Sequence, residues 1–171
     1  AIAQQFRAYD KLFHRGQKLM NIMPPFIAYG YACGVHLPLV LGFTVIIIPN
    51  LDPAKLGSLV LKYKPEHMFG VPAHYQQMAS SLLLKNKDLS FIRNYAAGGD
   101  AITVGAEQSV NDFLAAHGVE YGLAKGYGMT EVSSAATAAS GLANKVGSVG
   151  IPLVNTLVSV FEPGTDTELP I

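Results

Sequence analysis

Short apolar runs rich in branched residues recur along the chain, each followed by a stretch of helical length and mixed polarity. Five of these runs predict strands: Leu19–Met23, Thr44–Ile48, His67–Val71, Asn94–Ala97 and Val119–Ala124. Their centres lie roughly 22 to 27 residues apart, room for one helix and two loops per unit. The punctuation agrees with that spacing. Asp52 followed by Pro53 reads as an N-cap and first helical turn, Pro72 opens the next helix, and Thr103 caps a helix that Gly118 ends after His117. Val45, Ile46, Ile47 and Ile48 are apolar on both faces, as in a strand covered by helices from both sides. The expected fold is therefore α/β: a doubly wound parallel sheet flanked by helices on both faces.

After Thr130 the alternation stops. Ser133 to Ser140 is almost entirely Ala, Ser and Thr, and Gly141, Gly147 and Gly150 follow in a loop-like stretch before a further strand predicted over Thr156–Phe161. This divides the chain into an α/β subdomain over 1–140 and the truncated start of a β-rich unit over 141–171. The first residue is not methionine and the last four close no element, so an excerpt of a longer protein is expected.

The 33 residues from Leu19 to Leu51 carry no Asp, Glu, Lys or Arg. A membrane span needs about 20 mostly apolar residues in continuous helix, and Pro24, Pro25, Pro38 and Pro49 interrupt this stretch, so it reads as strand, helix, strand, all buried. No membrane span and no secretory signal are expected, and the single cysteine, Cys33, excludes an internal disulfide. A cytoplasmic location is the expectation.

The 171 residues balance to zero net charge, but unevenly: Ala1–Arg93 holds ten basic and four acidic residues, Asn94–Ile171 two and eight. The balance excludes a strongly basic nucleic-acid binder. The asymmetry reflects either two solvated surfaces or a basic side facing a nucleotide or coenzyme; on a helix, Arg7, Lys11, Arg15 and Lys18 would share one face.

Two loops concentrate candidate chemistry, since ligands of an open parallel sheet sit beyond the carboxyl ends of its strands. Gly98, Gly99 and Asp100 follow the fourth predicted strand; paired glycines either admit a flat ligand closely or serve only a tight turn. Lys125, Gly126, Tyr127, Gly128, Met129, Thr130 and Glu131 follow the fifth. Tyr127 can stack on a base or ribose, Thr130 can donate to a phosphoryl oxygen and Glu131 can hold a divalent cation; alternatively the segment is a structural turn with a core tyrosine. The dinucleotide fingerprint fails, because Glu131 stands where its third glycine belongs. His14, His36, His67, His74 and His117 lack zinc-ligand spacing and read as core or surface residues. There is neither a Gly-x-Ser-x-Gly elbow nor a Walker loop, and Cys33 reads as an inert buried thiol.

Gly126–Glu131, Gly-Tyr-Gly-Met-Thr-Glu, resembles a motif of the adenylate-forming superfamily, most like its acyl-CoA synthetases. Gly98-Gly99-Asp100 resembles that family's glycine-pair motif, Pro24–Gly30 its Pro-x-x-His-x-x-Gly segment, and Gly147–Pro152 its Gly-Ser-x-Gly-x-Pro motif, in the family's order. The resemblance implies ATP-dependent activation of a carboxylic acid, fatty or aryl, as acyl-AMP, followed by transfer to coenzyme A. It implies Tyr127 against the adenosine, Thr130 on the α-phosphate, Glu131 on Mg²⁺, and Gly98, Gly99, Asp100, Lys125 and Gly126 lining the adenine and acyl sites. Gly128 and Met129 belong to the same ATP/AMP-contacting segment, and Met129 favours a CoA ligase over an amino-acid-activating domain. Thr130 and Glu131 are the implied catalytic residues. Ile27 replaces the family's His, so the family's gate over the acyl site is either absent or replaced by Phe26 or Tyr29, and Asn50 and Leu51 replace a basic residue and Phe. The phosphate loop, a ribose-binding Asp and the C-terminal catalytic Lys lie in missing N- and C-terminal parts, so the fragment alone is expected to be inactive. Alternatives are an adenylation domain loading a carrier-protein thiol, and a noncatalytic flavodoxin-like binding module.

Overall fold

In a computed structural model, described for residues 3, 4, 6, 12–139, 141 and 144–170, seven strands form one mostly parallel sheet. The strands are β1 (Lys18–Asn21), β2 (Thr44–Ile47), β3 (His67–Gly70), β4 (Asn94–Ala97), β5 (Ala124–Met129), β6 (Ser134–Ala139) and β7 (Ile151–Pro152). Their spatial order is β2-β1-β3-β4-β5-β6-β7. The first five run parallel; β6 and β7 add on antiparallel. A separate hairpin joins β8 (Val160–Phe161) to β9 (Glu168–Leu169).

Side chains alternate across the strands and bury two distinct cores. On one face Met20, Met68 and Tyr95 pack under α3 (Leu56–Tyr63), α4 (Pro72–Ala79) and α5 (Val104–Ala116). On the other, Leu19 and Phe69 pack with Cys33 and Leu37 from the segment α1 (Ala28–Tyr31), a wide π-helical turn (Ala32–His36) and α2 (Leu37–Leu41). The wide turn has a local cause. Asn21 Nδ2 donates to the Gly34 carbonyl at 3.0 Å, and a Cβ at Gly34 would stand 2.6 Å from Asn21 Oδ1, so the helix opens around this side chain.

The predicted caps form. Asp52 accepts from Ala54 N at 3.1 Å, Pro72 is the first residue of α4, Thr103 Oγ1 accepts from Ala106 N at 3.2 Å, and Gly118 follows α5 with φ +82°.

Several expectations are corrected. The fifth strand covers Ala124–Met129 rather than Val119–Ala124, so the glycine-rich segment is itself strand; Gly126 and Gly128 weaken strand propensity, but antiparallel pairing to β6 holds them. Ser134–Ala139 is that partner, a strand of small residues that periodicity does not reveal. β2 is the half-exposed edge of the sheet, not a strand buried on both faces, and the uncharged stretch Leu19–Leu51 is not all buried, since Phe26, Leu39 and Ile47 are largely exposed. Of Thr156–Phe161, only the last two residues are strand. Lys18 lies in β1 and Arg15 in a turn, so neither belongs to the proposed basic helical stripe; Arg7 and Lys11 lie outside the described residues. No helix among the described residues is long and apolar enough to cross a membrane.

Candidate active site

The two candidate loops meet at one end of the sheet because their strands are neighbours. Ala96 pairs with Ala124 and Ala97 with Lys125, in parallel, so both chains leave the sheet in the same direction. A Cβ at Gly98 would lie 3.5 Å from the Gly126 carbonyl and 3.4 Å from the Tyr29 ring. Gly99 has φ +79°, which favours glycine. Asp100 is exposed, and its carboxylate accepts from Ala101 N at 2.8 Å.

Beyond Gly126 the strand β5 rises out of the core. Tyr127 is 47% exposed and Met129 42%, and Gly128, Thr130 and Glu131 are also exposed. The segment is therefore not a turn around a core tyrosine. A register shift between Tyr127 and Gly128 bends it, and the Gly128 α-carbon passes so close to the Ser134 carbonyl that a methyl there would collide. Tyr127 is fixed by its backbone: its N–H donates to Thr137 Oγ1 at 3.2 Å, and that hydroxyl donates to the Val149 carbonyl at 2.7 Å. Thr130 to Val132 form a single 3₁₀ turn, followed by Ser133 and Ser134 at φ +60° and +109°. Non-glycine residues in that region are uncommon and cluster at functional sites.

Between this end of β4, β5 and β6 and the helix α1 lies a cavity of about 210 Å³. Tyr29, Gly98, Gly99 and Lys125 to Thr130 all border it; Asp100 and Glu131 do not. Tyr29 is fixed beneath the glycine pair, its hydroxyl shared between the Gly70 and Ala96 carbonyls at 3.2 Å each, and burial pushes its pKa well up, so it stays protonated. Of the two expected gate residues, Tyr29 borders the cavity while Phe26 is 86% exposed and does not. Cys33 also borders it, with burial raising its thiol to about 12, which makes it the inert thiol expected.

Lys125 occupies a position the sequence did not reveal. Its neighbours along the strand face the cavity, but its ammonium turns to the α5 side, where it pairs with the buried Glu107 and donates to the Lys145 carbonyl at 2.8 Å. The second Glu107 oxygen accepts from Gly147 N at 3.0 Å. Sequence offered one hint, a lone acid in the first turns of an otherwise weakly charged helix.

Glu131 presents one exposed carboxylate, and no cluster of three or more His, Cys, Asp or Glu exists among the described residues. A small hard cation is commonly held by one or two carboxylates together with substrate phosphates, so this donor set suits Mg²⁺ only alongside a phosphorylated ligand.

A doubly wound sheet with a glycine-lined crevice at the carboxyl ends of its strands is a nucleotide-binding architecture. The chain belongs to the AMP-binding enzyme family, whose model matches residues 1–171. It is 30% identical over 151 residues to a long-chain-fatty-acid–CoA ligase of Bacillus subtilis, covering 87% of this chain and 26% of that protein. It is 32% identical over 148 residues to a feruloyl-CoA synthase of an Amycolatopsis species, covering 84% of this chain and 28% of that protein. Among solved structures, the anthranilate CoA ligase AuaEII in complex with anthranoyl-AMP superposes with a TM-score of 0.81 at 17% identity, over 98% of this chain and 32% of that one. ATP-bound MatB from Rhodopseudomonas palustris gives 0.80 at 22% identity, over 99% and 32%. The chain thus spans roughly a quarter to a third of the length of these relatives.

Proposed function

We propose that this chain forms part of an ATP-dependent acid–thiol ligase: a carboxylate attacks the α-phosphate of ATP, pyrophosphate leaves, and the acyl adenylate passes its acyl group to coenzyme A. The observation that carries the reading is the parallel pairing of β4 with β5, which sets the Gly98–Gly99 turn beside the exposed Tyr127–Thr130 edge over one cavity. Two anions must meet in this reaction, so placed donors and cations dominate its energetics. Tyr127 offers a ring face for the adenosine, Thr130 a hydroxyl for the α-phosphate, and Gly98 and Gly99 a side-chain-free wall on which a flat group can lie. Gly126, Gly128 and Met129 complete the nucleotide-facing rim, Asp100 stands exposed just beyond the glycine pair and outside the cavity lining, and Lys125 holds the β5 strand from behind. Glu131 would hold Mg²⁺, which neutralises phosphate charge when bound.

The CoA-ligase names among the relatives support coenzyme A over a carrier-protein thiol as acceptor. The separate β8–β9 hairpin supports reading 141–171 as the lead into a further β-rich unit, and residues outside this chain would complete the site. On this reading the 171-residue fragment makes no acyl adenylate by itself. Calorimetric titration of the full-length protein with ATP tests the nucleotide assignment. Tyr127→Ala should weaken ATP about tenfold, the loss of one stacking contact worth about 1–3 kcal/mol; unchanged affinity would remove Tyr127 from the site.

A further inference from the structure

Between β6 and β7, residues 144–150 form a loop open to solvent; Val146 and Val149 are 42% and 48% exposed, so burial of apolar side chains does not hold it. Polar bonds do, and they follow one strand. Asn144 Nδ2 donates to the Leu123 carbonyl at 2.7 Å, immediately before β5. The Lys145 carbonyl accepts from the Lys125 ammonium at 2.8 Å, and Gly147 N donates at 3.0 Å to the Glu107 carboxylate that pairs with that ammonium. The Val149 carbonyl accepts from the Thr137 hydroxyl at 2.7 Å, and that hydroxyl accepts from Tyr127 N at 3.2 Å. As the loop advances it is fastened, directly or through one side chain, to positions 123, 125 and 127, every second residue along β5 and its approach.

The last fastening governs Tyr127. The pairing of β5 with β6 shifts register between Tyr127 and Gly128, so the ladder is irregular just where the ring leaves the sheet. Tyr127 N donates there to a side-chain hydroxyl, which has a single proton of its own to give. The Val149 carbonyl takes that proton, which turns an oxygen lone pair toward Tyr127 and strengthens it as an acceptor. Thr137 is only 4% exposed, so water is poorly placed to replace either bond. A loop drawn away from Thr137 would therefore release the Tyr127 backbone. The Glu107–Lys125 pair, itself almost wholly removed from water, holds the loop in place four to two residues earlier.

We propose that residues 144–150 are a strap that sets the position of Tyr127, and that Glu107, Lys125 and Thr137 are positioning residues for the nucleotide, acting through this strap without touching it. The inference rests on the reading above that Tyr127 meets the adenosine, and adds three residues and the route by which they act.

The test is calorimetric titration of the full-length protein with ATP, with urea denaturation of each variant alongside. Thr137→Val keeps the branched shape and deletes the hydroxyl; it should weaken ATP about fivefold, the worth of one net hydrogen bond, and Thr137→Ser should bind as the wild type does. Glu107→Leu combined with Lys125→Met removes two fastenings and leaves no unpaired charge. It should keep most of the wild-type stability and still weaken ATP about fivefold. Adding Thr137→Val to that double variant should weaken ATP little further, because residues acting through one network are not additive. Wild-type affinity in the double variant, Thr137→Ser as weak as Thr137→Val, or independent losses that multiply to about 25-fold would each overturn the inference. If the double variant does not fold, the two Thr137 variants decide. Tyr127→Ala is the reference: unchanged affinity there removes the nucleotide reading itself, whereas a loss there with none in the strap variants removes only the strap.

Discussion

Glu107 and Lys125 form a buried ion pair directly behind the strand that carries Tyr127, and through the Lys145 carbonyl and Gly147 N–H the same pair ties down the loop after β6. Both side chains are almost wholly removed from water. Breaking such a pair leaves one charge uncompensated, which typically costs about 3–5 kcal/mol, whereas replacing both partners with apolar groups is often neutral. Glu107→Gln and Lys125→Met are therefore each expected to lower stability by several kcal/mol, and Glu107→Leu combined with Lys125→Met to recover most of it. Urea denaturation of the three variants checks this; additive losses in the double variant would show that the pair is not coupled.

Gly128 is expected to tolerate no side chain. A methyl there would collide with the Ser134 carbonyl and push β6 off β5 next to Thr130. Gly128→Ala should cost about 1–3 kcal/mol, as overpacking commonly does, and weaken ATP binding in parallel, measured by thermal denaturation and calorimetry. Gly105, on the exposed side of α5 with open space at its Cβ, is the matched control, and Gly105→Ala should stabilise by about 0.5–1 kcal/mol.

His67 makes stability pH-dependent in a defined direction. It is fully buried, packs against both Phe13 and Phe43 with ring centroids 4.9 Å from each, and reaches Gln17 at 2.9 Å. Burial, with Arg93 and His14 nearby, lowers its pKa to about 3 from the usual 6.5. Between those values the unfolded chain binds a proton that the folded chain refuses, so stability is fully present above about pH 6.5 and falls as pH drops toward 3. Two pH units in that window correspond to about 2–3 kcal/mol. Comparing urea midpoints at pH 4.5 and 7.5, the wild type should lose this amount and His67→Phe should lose markedly less; equal losses would remove His67 as the source.

The βα period, the three helix caps and the coming together of the two glycine-rich loops were legible because each leaves a local mark: a branched run, an Asp-Pro or Thr at a helix start, a glycine pair after a strand. β6 was not, since Ala, Ser and Thr follow one another without a hydrophobic face, and five of its six residues border the cavity. The edge position of β2 is decided by topology, and four consecutive branched residues look alike at an edge and in the middle. The Glu107–Lys125 pair was hidden for a related reason. Strand direction decides which face Lys125 takes, and that became visible only once β5 was seen to begin at Ala124.

Thr130 carries the central claim, that the exposed end of β5 holds the α-phosphate. Thr130 borders the cavity and is exposed. The measurement is acid-dependent ATP–pyrophosphate exchange by the full-length protein and by Thr130→Ala, with circular dichroism confirming that both are folded. Loss of one preorganised donor to a developing oxyanion commonly lowers turnover about 10²–10³-fold, and a decrease of that order is predicted. Exchange at the wild-type rate in Thr130→Ala would contradict the account.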